Sequence, residues 1–448
     1  MLDPARRSAD SVRKCENCEE YGHHRSPYLI AYLRVYNLNS VETSLFTFAT
    51  DLYDEGLETV LHNAQNRAGV SGLTMAVAYH DARDLFPHNP VHKVRYLEGG
   101  VIFFPPDRAR YEGLRLQPCV SELIESSDPL GDLCAAAGNR GIDVNAWVVF
   151  LHNDRLGFVH PECATQNALG DRYLTDLCPS NPDVRAYARA LTSDIARYEV
   201  STIIAESLHF HGLGHGYHHE RYFEELGDIG TFLLGLCFCP HCLEAARQTG
   251  VDTEMVHRLV RDELERRFAW DGCWESTGEL TRDRLGALGG EHLFGYLDAR
   301  VATVTSLADE VSAAAQEGTS VTFVDLSGGE KGYMTGRPTG EAAAAIGWQR
   351  GIDIAALAGV CDAVEATGYA ADPGRLSFDL DAYHALVADA SQLGLILRPM
   401  PPDCRSADNL AAKVTLARER GLRRLDFYHY GFCRLHALDW IRQSLVAD

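Results

Sequence analysis

The stretch TIIAESLHF, residues 202–210, sets one glutamate directly behind a run of small and β-branched apolar residues. Thr202 to Ala205 show no alternation with polar residues, as in a strand covered on both faces. Glu206 then stands where such a strand would emerge. A carboxylate in that position is expensive to bury unless it is paired or working. The fold depends on how often this pattern recurs.

Seven further segments share it: SLFTFAT (44–50), GLTMAVAYH (72–80), VNAWVVFLH (144–152), SVTFVDLS (320–327), CDAVEATGY (361–369), LGLILRPM (393–400) and LRRLDFYHY (422–430). Between them lie stretches of helical periodicity, among them PDVRAYARALTSDIARYEV and SADNLAAKVTLARERG. Asn181-Pro182 supplies a cap and a first-turn proline for the former, and Gly421 a terminus for the latter. Eight strands alternating with helices over 41–448 predict a (β/α)8 TIM barrel of the α/β class, with residues 1–40 as an N-terminal arm. A doubly wound open sheet is the competing architecture. No G-x-G-x-x-G follows the first strand, which counts against dinucleotide binding.

Of 448 residues, 46% are hydrophobic and 23% charged, the make-up of a globular chain with a large core. The formal charge of −22 argues against nucleic acid or an anionic membrane as partner. No apolar leader and no run of about 18 apolar residues is present, so a cytoplasmic location is the expectation. Thirteen cysteines in a reducing compartment point to metal or plain burial rather than disulfides. CENC (Cys15, Cys18) near the start is a weak zinc candidate.

Two connections, 81–143 after the second strand and 211–319 after the fourth, are much longer than a barrel needs. Both leave carboxyl ends of strands, where barrel enzymes hold their chemistry. The residues at those ends include His80, His152, Asp154, Glu206, Asp325, Glu365, Arg398 and Tyr428. Glu206, Glu365 and Asp325 are the candidate catalytic carboxylates. Two carboxylates facing each other across a barrel mouth would cleave a glycosidic bond, one donating a proton and the other attacking carbon or activating water. Trp348, Tyr369 and Tyr428 would stack on sugar faces.

The insertion 211–319 opens with a histidine-rich loop and continues into CFCPHC (237–242). Three thiolates within six residues can converge on one tetrahedral ion. His209, His215 and His219 would contact substrate or, with Glu206, hold a second divalent metal.

From about residue 41 onward the chain resembles the barrel glycoside hydrolases of the family 42 β-galactosidase kind and their glycosidase-like relatives. The resemblance rests on CPSNPDVRAYA (178–188), the glutamate ending the fourth strand, CFCPHC, and LDFYHYG (425–431) followed by a helix with Trp440. It implies a structural zinc on Cys237, Cys239 and Cys242, with Cys178 or Cys163 as fourth ligand. It also implies a carbohydrate or glycoconjugate as the partner. Two features depart from the family pattern. Ala205-Glu206 replaces an Asn-Glu pair, and LILRPMPPD (395–403) offers no glutamate after the seventh strand, only Asp403. Pairing Glu206 with Glu365 would look more like the α-galactosidase clan.

Three functions follow as expectations: a glycosidase, a metal-dependent sugar isomerase, epimerase or lyase, and a non-catalytic carbohydrate-binding barrel. The acidic surface is compatible with a monomer or a homo-oligomer.

Overall fold

In the structure, a computed structural model, residues 41–446 are described, apart from 125, 215, 216, 218, 219, 273 and 275–277. Cys15, Cys18, His215 and His219 therefore lie outside the described residues. Eight strands form the barrel: β1 (Glu42–Phe48), β2 (Gly72–Tyr79), β3 (Asp143–Val149), β4 (Thr202–Glu206), β5 (Ser320–Asp325), β6 (Ala363–Thr367), β7 (Leu393–Leu397) and β8 (Arg424–Phe427). Each pairs in parallel with its sequence neighbours, and β1 pairs with both β2 and β8. The sheet is thus closed, a (β/α)8 barrel rather than an open doubly wound sheet.

The capping signals operate as the sequence suggests. The Asn181 side chain accepts from the amides of Asp183 and Val184 ahead of the helix Pro182–Ile195. Gly421, at φ 71°, follows the helix Ala407–Glu419. β4 stops where Ser207 takes a φ of 56°, a left-handed conformation that no strand can continue.

The excursions gather at the carboxyl ends of β2, β3 and β4. After β2 comes a hairpin pairing Ala82–Leu85 with Val94–Leu97, then two residues, Val101–Ile102, antiparallel to the end of β2. Between β3 and β4, Ala164–Gln166 pairs with Arg172–Leu177, an excursion the sequence had not singled out. After β4 come the helices Gly227–Leu234, Pro240–Gln248, Thr253–Phe268 and Arg282–Ala314. The last of these is broken at Gly290 (φ 51°). No described helix is long and apolar enough to cross a membrane.

Register assigns the interior, because partners across adjacent strands share a face. Val324, Glu365, Gly394 and Arg424 are successive partners from β5 to β8. Arg424 donates to Asp426 Oδ2 at 2.8 and 3.0 Å and, across the barrel, its Nη1 reaches the Thr202 hydroxyl of β4 at 3.4 Å. This row is therefore interior. Alongside it, Asn145 donates to the Ser44 and Thr74 hydroxyls at 3.3 and 3.1 Å. A polar layer thus fills the amino-terminal half of the barrel. Above it the filling turns aromatic: Trp147 has its ring 5.1 Å from Phe46 and 5.7 Å from Tyr428.

Glu365 is fully buried in the polar layer, 3.8 Å from Arg424 Nε. Burial, reinforced by the charge of Asp426, pushes its carboxyl well above the usual range, and Arg424 opposes that. Arg424→Leu would leave two acids around an uncompensated site. It is expected to destabilise the fold by about 3–5 kcal/mol in urea denaturation at neutral pH, with most of that loss recovered on adding Glu365→Gln and Asp426→Asn.

Candidate active site

The mouth is built upward from Trp147. Its indole Nε1 donates to Glu206 Oε2 at 2.6 Å, fixing the carboxyl that ends β4. Tyr79, the last residue of β2, packs edge-on against Trp147 at 4.7 Å, and Phe48, the last of β1, stacks on it at 5.8 Å. Tyr428 packs on Phe46 at 5.6 Å, with Tyr369 6.3 Å away. Burial raises the Glu206 carboxyl to about 7, with the Trp147 bond opposing the shift. A carboxyl that keeps its proton near neutrality beside aromatic faces is equipped to donate it. The charge of Glu206 in turn helps to raise the Tyr79, Tyr369 and Tyr428 hydroxyls, after burial.

The other two catalytic candidates sit elsewhere. Thr202, whose hydroxyl Arg424 reaches, lies four residues, or about 13 Å, below Glu206 along β4. Glu365 is held with Arg424 at the lower level, third of five residues in β6. The interior place at the top of β6 belongs to Thr367, whose hydroxyl donates to the Asp325 carbonyl at 3.0 Å. Asp325 follows Val324 and so has the opposite facing. Its Oδ2 accepts from Tyr383 of the helix Pro373–Leu386 at 2.6 Å, and its Oδ1 from the Ser327 amide and hydroxyl. Neither carboxylate shares the mouth with Glu206, because alternation and strand level assign them otherwise.

Several expected substrate residues line one flank. His80 stacks on Tyr79 at 4.2 Å and lies 4.8 Å from His152, which lies 5.6 Å from His211, itself 5.0 Å from His209. Asp176, fully buried, is 3.4 Å from His211 Nδ1. Asp154 opens the short helix Asp154–Val159 on the same flank. Arg398 is committed to Asp403, with 2.8 Å between Nη2 and Oδ1. Its guanidinium lies over Tyr369 at 3.9 Å and near Tyr333 at 5.3 Å, so it shapes the wall through those rings. Trp348 packs on Phe232 of the insertion at 5.4 Å, apart from the mouth rings.

One mouth carboxylate escaped the sequence reading. Asp84 lies on the hairpin after β2, and burial raises its carboxyl to about 6. Its charge and that of Glu206 both bear on the Tyr79 and Tyr333 hydroxyls. Only the brief alternation of Ala82, Asp84 and Phe86 with Arg83 and Leu85 marks it in the sequence.

The cysteines do converge. Cys178 Sγ is 3.5 Å from Cys239, 3.4 Å from Cys242 and 3.8 Å from Cys237, all four buried. Tetrahedral thiolates around one ion stand about 3.8 Å apart at metal–sulfur bonds of about 2.3 Å, so the donor set fits a metal. Cys178 is the fourth member, and Cys163 stays outside the group. The Cys237–Cys242 turn is pinned by Phe238, stacked on Tyr296 at 4.8 Å, and Tyr296 donates to the Cys237 carbonyl. Among the described residues this is the one group of three or more His, Cys, Asp or Glu whose ligand atoms draw together.

No protein-family model matches the chain, and neither does any curated protein sequence. Solved structures do match. The β-amylase catalytic domain of Paenibacillus polymyxa superimposes with a TM-score of 0.52 at 11% identity, over 91% of this chain and 98% of its own. The β-galactosidase of the psychrophilic Marinomonas ef1 gives 0.50 at 10% identity, over 90% of this chain and 59% of its own. α-L-Fucosidase isoenzyme 2 of Paenibacillus thiaminolyticus gives 0.50 at 11% identity, over 90% of this chain and 49% of its own. The chain is thus similar in fold to barrel glycosidases and spans about half the length of two of these three.

Two outcomes are expected. Glu206 titrates above its unfolded value, so its contribution is fully present below about 4.5 and is lost as pH rises through about 7. Glu206→Gln removes that loss and should stabilise the protein by roughly 1–3 kcal/mol at pH 8 but little at pH 4, read by denaturant titration at both. Elemental analysis should find one thiophilic divalent ion per chain, absent from Cys239→Ser, whose melting temperature should fall by several degrees.

Proposed function

We propose that the protein is a glycosidase-like hydrolase that cleaves a glycosidic bond at the carboxyl end of the barrel, with Glu206 as proton donor. The observation that carries this reading is the Glu206 carboxyl, raised to about 7 and fixed by Trp147 at the end of β4. Barrel glycosidases protonate the departing oxygen with such a group. A sugar ring seated over the half-buried Tyr428, above the buried Trp147, would bring its glycosidic oxygen toward the carboxyl. The surrounding rings exclude water, so the proton passes to that oxygen rather than to solvent. His80, His152, Asp154 and His209 flank this position and would bind sugar hydroxyls. The likeness in fold to β-amylase, β-galactosidase and α-L-fucosidase supports the substrate class.

In this reading the ion on Cys178, Cys237, Cys239 and Cys242 is a structural zinc. Four thiolates leave no open coordination position for chemistry. Its part is to brace the loops beside the mouth.

The test is hydrolysis of a panel of aryl glycosides. The rate, kcat/KM, should fall as pH rises through about 7, because the donor must be protonated. Glu206→Gln should lose about 10²–10⁴-fold on poor leaving groups and much less on dinitrophenyl glycosides, which need no acid. Turnover that stops at once on chelation and returns with a divalent ion would instead favour a metal-dependent sugar enzyme. Sugar binding without product from any panel member would favour a binding barrel.

A further inference from the structure

A proton donor alone does not hydrolyse a glycoside, and among the described residues the barrel interior supplies no second carboxylate at the level of Glu206. The hairpin beyond β2 does. Ala82 and Asp84 of its first strand are half-buried and the Phe86 that follows is buried, while Arg83 and Leu85 are exposed. The first three therefore share the face turned toward the barrel. Phe86 on that face packs against Phe48 at 6.1 Å and Phe432 at 5.5 Å, inside the aromatic cluster at the mouth. Asp84 precedes it by one pleat.

The surroundings leave this carboxylate unspent. Its Oδ2 is buried and has no hydrogen-bond partner among the described residues. Arg95 faces Asp84 across the hairpin but gives its Nη2 to Asp54, at 2.8 Å. A buried acceptor with its neighbouring cation committed elsewhere is costly to keep unless a ligand or water serves it. Asp84 also differs from Glu206 in its mounting. Glu206 ends a barrel strand, whereas Asp84 stands on the hairpin after β2, and both charges bear on the Tyr79 and Tyr333 hydroxyls. Two carboxylates mounted on separate elements suit single displacement, in which a water stands between base and sugar.

We propose that Asp84 is the second catalytic carboxylate, the general base that activates water opposite Glu206. This rests on the glycosidase reading above. In the reaction a water proton passes to the Asp84 carboxylate as the water oxygen bonds to the anomeric carbon. The bond from that carbon to the leaving oxygen breaks, and the Glu206 proton goes to the departing oxygen. One water is consumed, and the hemiacetal product has inverted configuration. Asp84 then releases its proton to solvent and Glu206 takes one up.

The experiment uses the full chain with α- and β-glycosyl fluorides of glucose, galactose and fucose, whose leaving group needs no acid. Fluoride release should persist in Glu206→Gln and fall on the order of 10³-fold in Asp84→Asn. Asp84→Glu, which keeps the charge, should recover part of it, and proton NMR of the first product should show the inverted anomer. Near-wild-type release by Asp84→Asn would overturn the assignment while leaving the glycosidase reading intact. Equal losses in Asp84→Asn and Asp84→Glu would overturn it too, marking a structural role for the hairpin. A retained anomer would overturn the role as base. No release from any fluoride by the wild type would overturn both readings.

Discussion

Arg424 sits inside a closed barrel with Glu365 and Asp426 around it, and much of the architecture follows from keeping that guanidinium satisfied. The interior of an eight-stranded parallel barrel is filled by side chains and has no bulk solvent. A charge that alternation turns inward is costly there without a counter-charge. Arg424 meets this constraint in the lower half, with Asp426, Glu365 and the Thr202 hydroxyl. Asn145, Ser44 and Thr74 satisfy one another beside it. The lower-barrel carboxylates are thereby held beside Arg424, below the mouth.

Above that layer the aromatic residues isolate Glu206. Trp147 separates the two regions, touching Phe46 on its lower side and binding Glu206 through its indole nitrogen. The same desolvation raises both the Glu365 and the Glu206 carboxyls. The difference lies in what each meets: Glu365 has a cation, and Glu206 has one N–H and an opening. Beside the mouth, the cysteine cluster ties the end of Arg172–Leu177 to the turn before the helix Pro240–Gln248. Those two segments come from different excursions, after β3 and after β4. The histidine chain from His80 to His209 spans the same seam.

The sequence announced the barrel because its signal is local. TIIAE, VNAWVV and GLTMAVAY are unbroken apolar runs, and only strands covered on both faces need them. Glu206 was legible for the same reason, since it interrupts such a run at its end. Glu365 in CDAVEATGY gives nearly the same local signal, yet it lies one pleat lower on its strand. Asp325 also ends its strand but faces the helices. Asp84 gave almost no signal, because a four-residue strand with charged neighbours looks like any polar loop. CFCPHC announced the cysteine cluster, while the choice of Cys178 over Cys163 depended on where the chain returns after Arg172–Leu177.

Sequence by itself therefore determined the fold class, the order of the eight strands, the capping residues, the cysteine cluster and the glutamate at the end of β4. Each is set by periodicity or spacing within about ten residues. Tertiary structure alone decided which carboxylates share the mouth. That outcome depends on register between strands distant in sequence, on the level of each residue along the barrel, and on how an inserted hairpin folds back over the opening. One residue of offset turns a side chain from interior to exterior, and one pleat moves it from the mouth into the buried layer. No local pattern carries that information, because it is fixed only when the barrel closes.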